Sequence, residues 1–362
     1  MSTYNPQPVE RPANAAPWAK RDPKVSLLMV LGSILPAAIS AFLAVSFQIK
    51  FELTLLAIFL PLQIIAGLIV GTVAAGKRGR GEAMLGIFTF FFSSLVMVLL
   101  VSVLWSVVAN GIGTISWQFL TQNNVYISAN TSLEYGGVGH SILGTILVVG
   151  LATIVTVPLG ILIAVYLTET RGKTRGLIRT LIQAMSGLPS VVSGLFVYAA
   201  FIVTGITQYA GWAGSLALLP LMLPTVSRIA EESLRLVPAD LRSAAVGLGA
   251  PNYRAFLQVV MPAARSGLVT AILLGIARII GETAPLILTT FAAATTSVNI
   301  FSGPMSTLPT YLYSFISNPS VQSVQRAWGA ALVMLILVGV LFTAARVMTR
   351  SRVGKKSKKN GK

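Results

Sequence analysis

The residues of this sequence best suited to chemistry in an apolar setting are Arg278 and Glu282. They are the only charged residues of the stretch 266–294, just before Pro285. A guanidinium presents N–H donors in a planar fork that can hold an anion, and a carboxylate can accept a proton-bearing oxygen. Because positions i and i+4 share one helix face, we predict that the two side chains pair. The pair is a candidate anion site, or alternatively a buried salt bridge that only fixes helix packing.

The position of Arg278 along its helix makes the charge expensive. A helix from Arg265 to Arg278 extends about 20 Å at 1.5 Å per residue, which reaches the middle of a bilayer. Each such charge costs about 2.5–3.5 kcal/mol on insertion scales, so it needs a partner or a function. Pro285 has no N–H, and its ring crowds the carbonyl of Gly281, so we predict a bend beside the pair. If Glu282 accepts a hydrogen bond from the anion, hydrogen phosphate is favoured over sulfate, which is fully ionised.

Other kinds of chemistry lack the residues they require. The chain has no cysteine and a single histidine, which excludes disulfides, thiolate metal sites and multi-histidine metal sites. Gly71, Gly76 and Lys77 have the spacing of a phosphate-binding loop, but Arg78 stands where a Ser or Thr must hold Mg²⁺. We therefore predict no catalytic residue, no metal site, no cofactor bound by this chain and no enzymatic activity.

The composition is that of an integral membrane protein. Of the 362 residues, 54% are hydrophobic and 10% are charged, whereas soluble domains carry about 25% charged residues. Because backbone groups in lipid must bond within the protein, the apolar stretches are expected to be helices. We predict an all-α fold with about eight membrane spans: 25–47, 53–75, 84–109, 139–167, 181–203, 214–226, 266–294 and 327–348. The sixth is the shortest, and Pro220 and Pro224 interrupt it.

The basic residues predict the orientation of these spans. Of the 27 Lys and Arg, all but Lys50, Arg278 and Arg326 fall on one side if the N-terminus is cytoplasmic. Since Lys and Arg accumulate on the cytoplasmic side, both termini are predicted to be cytoplasmic. Residues 1–24 form a cytoplasmic tail, 25–76 an accessory two-helix hairpin, 84–350 the core, and 351–362 a basic tail. Contact with anionic lipid explains that last tail without nucleic acid.

The longest internal cytoplasmic loop, 228–264, has the pattern of a helical elbow. Pro238 and Asp240 suit the first turn of a helix, where the Asp side chain can cap free amides. Apolar residues recur at helical spacing up to Leu248, Gly249 ends the helix, and a second helix follows Pro251. The elbow either lies on the bilayer surface or docks into a partner.

Several residues of this loop resemble the coupling loop of ABC importer permeases, whose pattern is Glu-Ala-Ala followed by Gly and then Pro. Here Ser243 replaces the usual Glu. The resemblance implies that the helix inserts into a cleft of an ATPase subunit. The residues it assigns to this contact are Asp240, Ser243, Ala244, Ala245, Gly249 and Pro262.

The segment 278–286 resembles the Arg-x-x-Gly-Glu-Thr-Ala-Pro-Leu motif of phosphate-specific ABC transporter permeases of the PstA type. The segment 186–194 is similar to a second PstA segment, and its small and hydroxyl residues around Pro189 either line the same path or only form a packing kink. The resemblance covers roughly 84–348 and implies a type I importer core of six helices, which leaves the first two spans without a role. The substrate-pathway residues it implies are Arg278, Glu282, Thr283, Ser190 and Ser193.

We interpret the chain as a permease subunit that conducts inorganic phosphate into a prokaryotic cell across its cytoplasmic membrane. The family implies a PstC-like permease, two ATP-binding subunits that carry ATP and Mg²⁺, and an extracytoplasmic phosphate-binding protein. Alternatives are an ABC permease for sulfate or molybdate, an ion-coupled secondary transporter or channel, and an added role in signalling phosphate status.

Overall fold

The computed structural model describes residues 23–48, 54–170, 172 and 174–349, and within these ranges the chain is helical without strands. The predicted all-α class is therefore confirmed. The tails predicted at 1–24 and 351–362 lie outside the described residues, except for Pro23 and Lys24. The helices, in chain order, are α1 (Pro23–Phe47), α2 (Leu60–Gly111), α3 (Trp117–Thr121), α4 (Gly139–Glu169), α5 (Thr174–Ser186), α6 (Ser190–Val197), α7 (Gly211–Arg235), α8 (Ala239–Gly247), α9 (Asn252–Ala255), α10 (Met261–Ala263), α11 (Arg265–Ile280), α12 (Ala284–Thr289), α13 (Leu308–Ile316) and α14 (Val321–Thr349).

The chain divides into two compact units, residues 1–104 and 105–362. In the first, α1 contacts the π-helical turn Thr54–Phe59 that precedes α2. The predicted break between the second and third spans is wrong, because the backbone of α2 is helical throughout, including its basic segment 77–80. Beyond Pro61, α2 contains no proline that would force a break, and its glycines only weaken a helix.

Four helices of the described chain are long and apolar enough to cross a membrane: Phe91–Thr114 (α2 and the 3₁₀ turn after it), α4, α7 and Val321–Ala344 in α14. The number rises to six if two bent pairs each form one span, Thr174–Ser186 with Ser190–Ile202 and Asn252–Ala263 with Arg265–Ile280. The first two predicted spans correspond to shorter apolar helices, Val30–Ala44 and Ala57–Val70. The membrane class is thus confirmed, whereas eight full-length spans are not present in the described residues.

Helix α7 is the centre of the second unit, although the sequence predicted only a short span at 214–226. It packs between α4 and α11, and Val226 lies between a glycine of each. A Cβ added at Gly160 would lie 2.8 Å from Val226 Cγ1, and one added at Gly275 would lie 2.6 Å from Val226 Cγ2. Small residues of this kind allow membrane helices to approach closely, so the two glycines permit the central packing.

Two prolines, Pro220 and Pro224, lie inside α7 without ending it. Pro220 has no N–H, so the carbonyl of Leu216 lacks its helical donor. At the adjacent carbonyl, the hydroxyl of Ser193 on α6 donates to Ala217 O at 2.5 Å. The contact fixes α6 against α7.

A buried arginine secures the loop between α3 and α4. The side chain of Arg326 on α14 is 0% exposed and donates to the carbonyls of Thr131, Ser132 and Tyr135, at 3.0, 2.8 and 2.9 Å. The packed ring of Tyr311 lies nearby, and burial raises the pKa of Tyr311 to about 12. The pattern of basic residues predicts that Arg326 lies on the extracytoplasmic side, but it gives no indication that the side chain is buried.

Candidate functional site

Arg278 and Glu282 are separated by a break in the helix. Arg278 lies in the last turn of α11, which ends at Ile280, and Glu282 lies in the short gap before α12 begins at Ala284. The predicted pairing is wrong: no ion pair joins the two side chains, both of which the structure describes. Pro285 cannot donate to Gly281 O and crowds it, so the helix stops at Gly281 and the i, i+4 geometry is lost.

Arg278 has no partner among the residues that the structure describes. Its side chain is exposed, and it makes no hydrogen bond or ion pair with any residue that the structure describes. Glu282 and Thr283 are half-buried beside it. Because α11 is continuous from Arg265, the estimate of about 20 Å from the start of the helix to Arg278 still applies. An uncompensated guanidinium at that depth requires an anion or a partner protein.

The two segments assigned to one path by resemblance are in contact. A Cβ added at Gly194 of α6 would lie 2.5 Å from the Cα of Pro285 in α12, so only glycine allows this approach. Ser190 is half-buried at the first residue of α6. Ser193 is 3% exposed, and its hydroxyl is already engaged by Ala217. Ser193 therefore fixes α6, while Arg278, Glu282 and Thr283 lie around the break.

We expect Gly194→Ala to destabilise this packing. The added methyl group would overlap backbone atoms of Pro285, and overpacking of this kind costs about 1–3 kcal/mol. The matched control is Gly150→Ala, because a Cβ there meets nothing within 4 Å. Thermal unfolding of the purified protein in detergent should show a lower midpoint for Gly194→Ala and an unchanged midpoint for Gly150→Ala. Equal midpoints for both variants would contradict the close contact.

The predicted helical elbow is present on the other side of the core. Helix α8 contains no buried residue, and Gly249 has φ +87°, a left-handed conformation that favours glycine. Asp240 lies in the first turn but makes no capping hydrogen bond, so that detail of the prediction is wrong. The residues predicted to couple are exposed or half-buried: Asp240, Ser243, Ala244, Ala245, Gly249 and Pro262. Leu248 is 91% exposed at the turn.

Ion pairs connect the elbow and its neighbours to the membrane helices. Arg242 of α8 donates to Glu169 at the end of α4 at 2.5 Å. Glu231 of α7 accepts from Arg179 of α5 and from Arg235, both at 2.6 Å. The arginine side chains of these pairs are 40–48% exposed, so the pairs add little stability. Sequence reasoning missed the pairs of Arg179 and Arg242 because their partners lie 52 and 73 residues away in the chain.

The described residues contain neither a cluster of metal-ligating side chains nor a phosphate-binding loop at 71–77. No group of three or more His, Asp or Glu side chains there has the arrangement to hold a metal ion. The backbone of 71–77 is part of α2, whereas a phosphate-binding loop must turn between a strand and a helix.

Comparison with known proteins agrees with this arrangement. The sequence model of the family described as "Binding-protein-dependent transport system inner membrane component" matches residues 156–353, which include both the elbow and the break at Gly281. The phosphate transport system permease protein PstA 1 of Mycobacterium tuberculosis is 38% identical over 267 residues, 72% of this chain and 86% of that protein. The PstA of Mycobacterium leprae is 38% identical over 263 residues, 71% of this chain and 86% of that protein. A solved amino acid ABC transporter has a TM-score of 0.46 at 18% identity and covers 58% of this chain and 91% of its own.

Proposed function

We infer the function from one premise: the chain belongs to the binding-protein-dependent transport system inner membrane component family. It is a multi-pass permease subunit of an ATP-driven importer, and its substrate is inorganic phosphate. The observation that carries the substrate is the 38% identity to PstA 1 over 72% of this chain. As a permease it carries out no catalysis of its own.

We propose that the complete transporter contains a second, PstC-like permease and two ATP-binding subunits that hold ATP and Mg²⁺. An extracytoplasmic phosphate-binding protein delivers the substrate. Both termini of this chain are cytoplasmic, which puts the elbow on the side of the ATPase subunits. The distribution of basic residues supports this orientation.

The path for phosphate runs past the break at Gly281. Arg278 is exposed on the isolated chain, so it is available to an anion between the two permeases. Its planar fork suits two phosphate oxygens. Glu282 accepts the proton-bearing oxygen of hydrogen phosphate, and the hydroxyls of Thr283 and Ser190 lie along the same path. Ser193 contributes indirectly by holding α6 in position.

Coupling to ATP hydrolysis runs through α8. Its small exposed residues, Ala244 among them, allow an ATPase surface to approach the backbone closely. Movement of α8 reaches α4 through the Arg242–Glu169 pair, and α4 packs along the central helix α7. A shift at the cytoplasmic surface is thereby transmitted to the helices that flank Arg278.

The decisive experiment is uptake of labelled phosphate by the complete transporter in vesicles. We expect uptake that requires ATP and the ATP-binding subunits and that excess sulfate or molybdate does not reduce. Uptake without the ATP-binding subunits would instead support an ion-coupled transporter. Equal competition by sulfate or molybdate would support a less selective oxyanion permease.

A further inference from the structure

We propose that α5 lies flat in the cytoplasmic surface of the bilayer, with one apolar edge among the acyl chains and its basic residues at anionic lipid headgroups. This role does not depend on which anion the permease conducts.

The first observation is the direction of α5. The segment Thr174–Ser186 meets Ser190–Ile202 at an angle of 99°. The second segment packs on the membrane-crossing helix α7, where Ser193 bonds to Ala217. If Ser190–Ile202 follows α7 across the bilayer, α5 must leave it nearly perpendicularly. A helix in that direction runs along the membrane surface.

The second observation is the division of the surface of α5. Its apolar residues recur at helical spacing on one side, and Arg175, Arg179 and Gln183 lie on the other. Ile182 is buried where α5 packs on the protein, whereas Leu177 is 62% exposed and Leu181 is 54% exposed. Part of the apolar side is therefore uncovered in the chain. This is the pattern of a helix that lies in the membrane interface.

The third observation is the charge around α5. No acidic residue occurs between Glu169 and Glu231 in the sequence, whereas four basic residues occur in or just before α5: Arg171, Lys173, Arg175 and Arg179. Of these, Arg179 is already paired with Glu231. Each basic residue near an anionic leaflet strengthens attraction to the membrane surface. The sequence around α5 offers few acidic side chains to these basic residues. Anionic lipid headgroups are therefore the favoured partners.

The apolar surface continues from α5 into the membrane region. A cavity of about 340 Å³ opens beside Met185 and has an almost entirely apolar surface, with Thr156 and Ser193 as its two hydroxyl residues. Its apolar lining includes Leu159, Phe196, Leu216, Leu219 and Leu223. An acyl chain of a lipid held at α5 would find continuous apolar contact there.

The test uses the absence of cysteine from the chain. Leu177→Cys and Leu181→Cys, each labelled with an environment-sensitive fluorophore, would be compared with Gln183→Cys on the polar side. In the complete transporter in vesicles, a lipid with a quencher near the headgroup should quench the two leucine positions at least about threefold more than Gln183. Stronger quenching of the leucine positions by aqueous iodide would overturn the proposal. Protection from both quenchers would assign the edge to a protein partner and also overturn it.

A second measurement isolates the charge. Quenching at Leu181 should rise when phosphatidylglycerol replaces part of the phosphatidylcholine, and high salt should reverse the rise because it screens surface charges. The combined change Arg171→Gln, Lys173→Gln and Arg175→Gln should remove the rise, whereas Arg254→Gln at α9 should leave it intact. An identical rise in both variants would show that the basic residues of α5 do not recognise the lipid.

Discussion

Phosphate uptake by the Arg278→Ala transporter is expected to fall roughly tenfold to a hundredfold. A hydrogen bond to a charged group contributes about 1.5–3 kcal/mol, and about 1.4 kcal/mol corresponds to a factor of ten. Arg278 makes no hydrogen bond or ion pair with the described part of the chain, so its removal breaks no internal contact there and should not impair folding. The measurement is the initial rate of labelled phosphate uptake in vesicles, normalised to the amount of assembled complex.

Two further variants test the proposed anion site, one at Arg278 and one at Glu282. Arg278→Lys keeps the positive charge but loses the planar fork, so it should retain intermediate uptake. Glu282→Gln should weaken the preference for phosphate over sulfate, because the amide no longer offers a carboxylate to the phosphate proton. Wild-type uptake by a correctly assembled Arg278→Ala transporter would refute the proposed anion path.

Leu248→Asp is expected to uncouple the transporter, with uptake reduced by roughly a hundredfold or more. Leu248 is 91% exposed in the isolated chain, at the turn after α8 that we propose docks on the ATPase subunit. Burying a leucine contributes about 1.5–3 kcal/mol, and burying an unpaired carboxylate in its place adds a further penalty. ATP hydrolysis by the complex, phosphate uptake and co-purification of the ATPase subunit would be measured together.

The matched control is Leu248→Met, which conserves volume and apolar character and should keep most of the activity. Because Leu248 is solvent-exposed in this chain, neither change should alter its thermal stability. If Leu248→Asp supported normal uptake with its ATPase subunit bound, the elbow would not be the docking surface.

The parts of the molecule that could be predicted from sequence are those set by neighbouring residues. Pro238 and Gly249 mark the limits of the elbow helix, and both act on the backbone where they stand. The helix predicted from Arg265 to Arg278 is continuous, and the depth of Arg278 in the membrane stays a prediction. The prediction of an ion pair between Arg278 and Glu282 was wrong. Pro285, which predicted a bend, instead ends the helix before it reaches Glu282.

Other features depend on groups distant in sequence and could not be predicted. Pro220 suggested a weak span, but α7 continues through it to Arg235 and is packed against α6, where Ser193 donates to Ala217 O. The lack of a break in α2 reflects only that its glycines are compatible with a helix. The burial of Arg326 requires carbonyls 191 to 195 residues earlier in the chain, which no local pattern indicates.

The hydrogen bonds from Arg326 to the loop at residues 131–135 should not depend on pH. Its three acceptors are peptide oxygens, which neither gain nor lose protons in water, and a guanidinium keeps its charge at any pH a cell meets. An ion pair between arginine and a carboxylate would weaken in acid, because protonation neutralises the carboxylate. The hydrogen bonds of Arg326 have no group that is protonated in this way, so acidification alone should leave the loop in place.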